Sequence, residues 1–185
     1  MRAALLEAAV ELIAERGLSG LSLRECARRA NVSHAAPYRH FTDKQALLQA
    51  ISLQGFEWLT RAGREAIDEM SEPKARLDAY GVAYVRFAVE HPVHHRVMFS
   101  ADLGPTAKEG LGPEADAFGL LVECAAAVIG PGRDATLAAV AAWSLTHGLA
   151  MLILDGRIPA EHVQRPEDVA KLTREVFEQW RGALA

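Results

Sequence analysis

The side chains best able to do chemistry in this sequence lie between residues 33 and 40. This run places a hydroxyl, two imidazoles, a phenol and a guanidinium among small residues: Ser33, His34, Ala35, Ala36, Pro37, Tyr38, Arg39 and His40. Such groups can donate hydrogen bonds to phosphate oxygens and to base edges in a DNA groove. Helical hairpins with basic residues are also common in proteins that bind no DNA, so the residue types alone leave both interpretations open.

The charge distribution favours a single surface that contacts phosphate. The whole chain has a net charge of −4, which by itself argues weakly against a nucleic-acid binder. Residues 1–45, however, carry seven Lys or Arg against five acids, and the remaining residues carry thirteen against nineteen. A basic end on an acidic body is typical of a protein that touches DNA with one face only.

Helices before and after a tight turn must position these side chains. Apolar residues recur at helical spacing up to Gly17, which suits the glycine that follows a helix end. Ser22 followed by Glu25 is a capping-box pattern and starts a second helix of about two turns. Asn31 tolerates the left-handed backbone of a sharp turn, and a further short helix is predicted over residues 33–40. This arrangement describes a helix-turn-helix.

The rest of the chain is predicted to be helical as well, so the fold class is all-α with about nine helices. Thr42 or Asp43 caps a long helix through about Met70, where Glu72-Pro73 breaks it. We therefore predict a three-helix DNA-binding head over residues 1–45, and a linking helix with a helical-bundle domain over 46–185. Apolar spacing and Gly- or Pro-rich breaks predict a loop over 101–113 and further helices over 73–90, 92–100, 114–129, 133–155 and 166–183.

Composition favours the cytoplasm. The longest apolar stretches are interrupted or shorter than the roughly 20 residues that cross a bilayer, and the N-terminus has no signal-peptide pattern. Cys26 and Cys124 both fall in helix-like segments and form no disulfide framework. We expect no membrane partner.

The residues of the first 50 positions resemble one family. They read Leu5-x-x-Ala8-Ala9-x-x-Leu12-Ile13-x-x-x-Gly17, then Leu23-Arg24-x-Cys26-Ala27-Arg28-x-Ala30-Asn31-Val32-Ser33, then Pro37-Tyr38-Arg39-His40-Phe41-x-x-Lys44-x-x-Leu47-Leu48. This succession resembles the head of TetR-family regulators. Trp143-x-x-x-His147-Gly148 resembles the WHG-type C-terminal domain of the same family. Two positions depart from the family pattern, Asn31 where glycine is usual and Cys26 where a branched aliphatic is usual.

The resemblance implies roles for the donors around the predicted turn. It implies phosphate contacts by Tyr38, His40 and Lys44, with flanking phosphate contacts by Ser22 and Arg24. Base contacts would fall to His34, Ala35 and Ala36, with Arg39 at the rim and Ser33 at the helix start. Alanine offers only a methyl group, so DNA shape is expected to contribute to recognition. The sequence starts almost directly at the first predicted helix, so we do not expect contacts from the basic arm that precedes this helix in many relatives.

Apolar and aromatic residues of the larger domain are the candidates for a ligand pocket between helices. They are Tyr80, Tyr84, Phe87, Met98, Phe99, Phe118, Trp143, His147 and Met151. For each of them, simple core packing is the competing interpretation. A buried His147 could bond a ligand or a backbone group, and the sequence does not choose between them.

Metal and catalytic sites are not expected, and neither is a cofactor. His91, His94 and His95 lie close together in sequence, but no nearby cysteine or acid completes a set of four ligands. The sequence contains no Gly-rich phosphate loop, nucleophile elbow or His-Glu-x-x-His pattern. Two other classes stay open: a helical enzyme with His147 as acid or base, and an adaptor that binds a protein through its head.

The family architecture implies a homodimer paired through the helices near 133–155 and 166–183. Two recognition elements about 34 Å apart would then meet successive major grooves of a palindromic, double-stranded DNA operator. The expected function is a repressor released by an unknown small-molecule effector. Activation, or regulation without any ligand, stays open.

Overall fold

The computed structural model describes residues 1–101, 103 and 113–182, and these ranges contain helices and no strand. The all-α prediction is thereby confirmed for the described part of the chain. Eight α-helices lie in it: α1 Arg2–Arg16, α2 Leu23–Arg29, α3 Lys44–Ile67, α4 Pro73–Glu90, α5 Pro92–Met98, α6 Pro113–Ile129, α7 Ala135–Leu154 and α8 Pro166–Gly182. Most of the loop predicted over 101–113 lies outside the described residues.

The chain divides into two compact units. We call residues 1–55 with 93–110 the head unit, and residues 56–92 with 111–185 the body unit. The boundary between the units falls within α3, and α5 belongs to the head unit. The predicted division into domains at residue 45 concerns which part binds DNA, and it stays a prediction beside this structural division.

The core of the head unit is built on the buried face of α1. Leu12 and Ile13 are fully buried, and they belong to one apolar cluster with Phe41, Leu47 and Val97. Since Phe41 and Leu47 come from after the turn and Val97 from α5, this cluster fixes the segment that carries the predicted DNA contacts.

Local signals in the head produce the predicted helix ends. Gly17 has a φ of 70° after α1, and Asn31 has a φ of 53° after α2, so each occupies the left-handed region that its residue type tolerates. The Ser22 Oγ accepts a hydrogen bond from the Glu25 backbone N–H at 3.2 Å. Asp43 caps α3, because its Oδ1 accepts from the Ala46 N–H at 2.8 Å.

The short helix predicted over residues 33–40 is wrong in extent. The segment contains a single 3₁₀ turn, Pro37–Arg39, preceded by a turn at residues 34–35 and a bend at residue 36. Proline at 37 has no N–H to donate to the Ser33 carbonyl, so that carbonyl accepts from the Ala36 N–H three residues on. The described residues thus hold eight α-helices where the sequence predicts about nine.

The body unit packs α4 in the middle of the remaining helices, against α6, α7 and α8. Its described core cluster contains Ile67, Tyr80, Leu121, Cys124 and Ala139. Glycine permits close approach at position 81, where a Cβ would lie 2.7 Å from the Phe177 ring. This contact holds α4 against α8.

Helix α7 lies within the helix predicted over 133–155 and is strongly apolar. It has 20 residues, contains no Asp, Glu, Lys or Arg, and has a mean hydropathy of 1.8 over its best window. By length and composition this helix could cross a bilayer, although Ser144, Thr146 and His147 interrupt its apolar stretch. Core helices of soluble proteins pass the same test, so length and composition alone are weak evidence for a span.

Candidate functional site

The residues predicted to contact DNA form a mostly exposed set in the head unit. Eight of the ten are exposed, and Ala36 and Lys44 are partly buried. The exposed ones are Ser22, Arg24, Ser33, His34, Ala35, Tyr38, Arg39 and His40. Tyr38 keeps 53% of its surface exposed, although Pro37 before it is buried and Phe41 after it is part of the core. The buried neighbours anchor the segment while the donors face solvent.

Several basic side chains of the head form ion pairs with acidic side chains. Arg29 donates to Glu11 at 3.1 Å and to Glu15 at 2.7 Å, and this links α2 to α1. The hydrogen bond from Arg29 holds the pKa of the Glu15 carboxyl below its ordinary value. Arg29 is therefore engaged in holding two helices together.

Glu25 forms ion pairs with two further arginines. Its carboxylate accepts from Arg28 at 2.6 Å and from Arg16 at 3.2 Å. The hydrogen bond from Arg28 is the largest cause of the lowered pKa of Glu25. Within the described residues, Arg24 and Arg39 have no ion pair or hydrogen bond from their guanidinium groups. Both remain available to an external anion.

Lys44 has a structural role beside its predicted one. Its Nζ donates to the backbone carbonyl of Leu18 at 2.6 Å, which ties the first residue of α3 to the turn after α1. An ammonium has three donors, so this bond leaves two for a phosphate oxygen. No local pattern predicts this tether, because 26 residues separate the partners.

The structure also adds Arg2, which the sequence analysis did not single out. Its guanidinium lies 5.5 Å from the centroid of the Phe41 ring, beside the residue that follows His40. Arg2 is exposed, so the first turn of α1 contributes a cation close to the predicted DNA contacts.

In the body unit, four of the predicted ligand residues come together. The Tyr84 hydroxyl lies 2.7 Å from His147 Nδ1, and Trp143 Nε1 donates to the same hydroxyl at 3.3 Å. The Phe118 ring meets Trp143 edge-on at 6.2 Å. Because Trp143 donates to the Tyr84 oxygen, the phenol proton is free to donate to a neutral His147. Burial lowers the pKa of His147 and raises that of Tyr84, so it favours the neutral form of each group.

The other five ligand candidates have different surroundings, although Tyr80 belongs to the core cluster against which Phe118 and Trp143 pack. Tyr80 donates to the Ala117 carbonyl at 2.8 Å in the core, and Met151 is exposed on α7. Phe87 contacts His91, with ring centroids 5.2 Å apart. Met98 and Phe99 belong to the head unit.

The three neighbouring histidines are distributed between the units. His94 and His95 are buried in the head unit, where His94 Nε2 lies 3.1 Å from Gln54 Oε1. His91 lies in the body unit between aromatic rings. The described residues contain no group of three His, Cys, Asp or Glu side chains placed to hold a metal ion.

Comparisons with known proteins agree with the resemblance. The family model "Bacterial regulatory proteins, tetR family" matches residues 5–51, and the model "Tetracyclin repressor-like, C-terminal domain" matches residues 77–183. The chain is 35% identical over 95 residues to the HTH-type transcriptional repressor KstR2 of Mycobacterium tuberculosis, covering 51% of this chain and 46% of that protein. It is 31% identical over 101 residues to the HTH-type transcriptional activator FasR of Mycolicibacterium smegmatis, covering 55% and 46%. The chain thus spans about half the length of the curated relatives it matches.

Solved structures extend the similarity to almost the whole chain. A protein of unknown function from Rhodococcus sp. RHA1 has a TM-score of 0.74 and 34% identity, over 98% of this chain and 94% of that one. The regulator FadR of Bacillus subtilis, solved in complex with stearoyl-CoA, has a TM-score of 0.77 at 17% identity, over 96% of both chains. The second match establishes a shared fold only.

Proposed function

Because the chain belongs to the TetR family of bacterial regulatory proteins, we propose that it is a DNA-binding transcription regulator that responds to a small molecule. The curated relatives that it matches are transcription regulators, the class that the sequence indicated in preference to an enzyme. The finer proposal is a cytoplasmic repressor that binds a palindromic operator as a homodimer and is released by its effector.

This proposal rests on which basic side chains of the head unit are paired with other groups and which are not. The tetR-family match over residues 5–51 includes Arg24 and Arg39, whose guanidinium groups have no partner among the described residues. The exposed donors Tyr38 and His40 flank Arg39. Arginine and tyrosine donors are frequent partners of phosphate oxygens in protein–DNA complexes. We assign base contacts to His34, with Ser33, Ala35 and Ala36 around it.

Dimerisation is proposed through the exposed apolar face of α7 and α8. Leu137 and Leu152 on α7 are 66% and 48% exposed, and Trp180 on α8 is 48% exposed. Only 28% of the apolar window of α7 is buried within one chain. A second copy would cover these side chains and would also account for the apolar character of α7 without a membrane.

Effector binding is proposed at the Tyr84, Trp143 and His147 cluster of the body unit. Its three polar groups bond one another, so a ligand with a hydrogen-bonding group could replace one of these bonds without leaving a buried polar atom unsatisfied. FadR, which shares the fold, was captured with stearoyl-CoA. Release of DNA requires that the effector bind one conformation of the dimer better than the other; a coupling of roughly 2–3 kcal/mol gives a change of tens- to hundreds-fold in affinity.

An activator is the second candidate. The relative FasR is named as an activator, whereas KstR2 is named as a repressor, at similar identity and coverage. Measuring transcription from the selected operator in vitro, with and without the protein, distinguishes an activator from a repressor.

The test is selection of preferred duplexes from random DNA by the purified protein, followed by affinity measurements across a salt series. We expect a palindromic site whose affinity falls steeply with salt, because phosphate contacts release counterions. Arg24→Gln or Arg39→Gln should each reduce the magnitude of the salt slope by about 1.

Arg28→Gln is the matched control, since Arg28 is exposed on the same helix as Arg24 but already bonded to Glu25. It should leave the salt slope close to that of the wild type. Failure of the selection to enrich any sequence, even at low salt, would contradict the proposed function and favour the adaptor.

A further inference from the structure

A groove separate from the Tyr84, Trp143 and His147 cluster runs between α3 and α4 in the body unit and is flanked by α8. Its volume is about 740 Å³, which lies within the range of small-molecule sites. Its floor consists of small side chains at helical spacing, from α3 Ala62 and Ala66 and from α4 Ala75, Ala79 and Ala83. Because alanines fill little space, two neighbouring helices leave a channel between them.

Aromatic rings close one end of this groove. The Trp58 and Phe87 rings lie 5.0 and 5.2 Å from the His91 ring, centroid to centroid, and all three residues line the cavity. Flat π-faces around an alanine floor suit a planar, apolar group that stacks or packs edge-on.

Beyond the aromatic end, the two walls carry arginines at the same level. Helices α4 and α8 run antiparallel, since Asp78 pairs with Arg181 at 2.7 Å while Gly81 approaches Phe177. This register places Arg174, about one turn from Phe177, opposite residues 84–85 of α4.

Helices α3 and α4 are antiparallel too. Arg76 donates to the Ile67 carbonyl at 3.1 Å, and Gly63 lies against Tyr80. This register places Arg61 opposite residues 82–83, so Arg61 and Arg174 face the groove from opposite walls within one helical turn of each other.

These two arginines differ from the other cations of the groove. Arg86 is bonded to Glu90 at 3.1 Å, and Arg181 is bonded to Asp78. In the part of the chain that the structure describes, Arg61 and Arg174 have no ion pair or hydrogen bond. An anion between them would accept hydrogen bonds from both guanidinium groups.

The next turn of each wall carries an acid, Glu65 on α3 and Glu178 on α8, and both line the groove. Each acid follows its arginine by four residues, the less favourable order for a helical ion pair, and neither pair is formed. Two carboxylates one turn beyond the arginines disfavour a second negative charge on the ligand.

We propose that this groove binds a small aromatic monocarboxylate, with its ring against Trp58, Phe87 and His91 and its carboxylate between Arg61 and Arg174. We expect the proposed dimer to leave this groove open, because Arg174 and Glu178 lie about 120° and about 160° around α8 from the exposed Trp180.

Isothermal titration calorimetry of the full chain with indole-3-acetate and phenylacetate tests the proposal. We expect binding of both, and at least tenfold weaker binding of the uncharged amides and of the dianion phthalate. Arg61→Gln and Arg174→Gln should each weaken indole-3-acetate binding by about tenfold. Arg64→Gln is the control, since Arg64 is exposed on the same helix and does not line the groove.

Thermal melts of each variant without ligand confirm that it is folded. Binding that survives Arg61→Gln and Arg174→Gln, or no heat from either acid at millimolar concentration, would overturn the proposal. The titration needs no DNA, so its result is independent of whether the proposed regulator function holds.

Discussion

The two units of the chain use polar side chains in different ways. In the head unit, the predicted functional side chains Tyr38, Arg39 and His40 are exposed around a buried Pro37. In the body unit, Tyr84, Trp143 and His147 bond one another in the interior or at its edge. The head thus presents its donors to solvent, whereas the body bonds these polar groups to one another.

The two units are also held together in different ways. The head combines a compact apolar cluster with ion pairs between α1 and α2 that engage Arg29 and Arg16, and among the described residues Arg24 and Arg39 stay unpaired. The body depends on close helix contacts such as Gly81 against Phe177, and it leaves apolar residues of α7 exposed. The predictions below test this contrast, and each compares a residue of one unit with a similar residue of the other.

The largest change in stability is expected for a buried leucine of the head, compared with an exposed leucine of the body. Leu12→Ala removes a fully buried side chain from the head core and should lower the free energy of unfolding by about 2–5 kcal/mol. Leu137→Ala, at an exposed position of α7, should change it by less than about 0.5 kcal/mol in the monomer. Urea unfolding measures both. Sedimentation in detergent-free buffer should show that Leu137→Ala weakens the dimer, and an unchanged dimer would argue against the proposed interface.

The next comparison removes one hydroxyl from each unit. Tyr84→Phe leaves Trp143 Nε1 and His147 Nδ1 without their shared partner and should cost about 1–3 kcal/mol of stability. Tyr38→Phe should leave stability unchanged within about 0.5 kcal/mol, since the side chain is exposed, but should weaken operator binding. Equal losses of stability in the two variants would contradict the expectation that only the internally bonded hydroxyl stabilises the fold.

Lys44→Met tests a residue with two roles. Loss of the bond to the Leu18 carbonyl should lower stability by about 1 kcal/mol, and loss of a phosphate contact should reduce the salt slope of DNA binding by about 1. Lys171→Met, in the body unit, is the control and should change neither quantity. A loss of stability with an unaltered slope would show that Lys44 only positions the start of α3.

The smallest effect concerns pH. Burial lowers the pKa of His147 below the 6.5 of an unperturbed histidine, so the unfolded chain binds a proton more readily than the folded one. Stability from this group is present above pH 6.5 and is lost as pH falls through the folded-state pKa. Thermal melts from pH 7.5 to 5.5 should therefore show a smaller decline for His147→Asn than for the wild type, whereas His34→Asn, at an exposed position, should decline as the wild type does.

Much of the fold was predictable because its signals are local. Gly17, Ser22, Asn31 and Asp43 act on the backbone within a few residues, and each has the predicted conformation or hydrogen bond. The prediction of a short helix over 33–40 was wrong because Pro37 has no backbone N–H to bond the Ser33 carbonyl. The helical spacing of side chains does not reveal this missing hydrogen bond.

The candidate sites were less predictable because they depend on long-range partners. An ion pair such as Arg28 with Glu25 has a helical spacing that the sequence displays, but Arg29 reaches Glu15 across 14 residues. The aromatic candidates of the body were identified by type. Nothing in their spacing separates Tyr84 and Trp143, which share a hydrogen bond, from Tyr80, which donates to the Ala117 carbonyl.

Local sequence patterns were enough to predict the helical class, most helix ends and the family, since apolar periodicity, capping residues and the Tyr-x-His-Phe-x-x-Lys pattern are properties of neighbouring residues. Only the tertiary structure decided which cations remain unpaired, that Lys44 is tethered to Leu18, and that Arg61 and Arg174 face one groove. The physical reason is range. Backbone conformation responds to residues within a turn or two, whereas the state of a charge depends on whichever side chains the packed helices bring within a few ångströms.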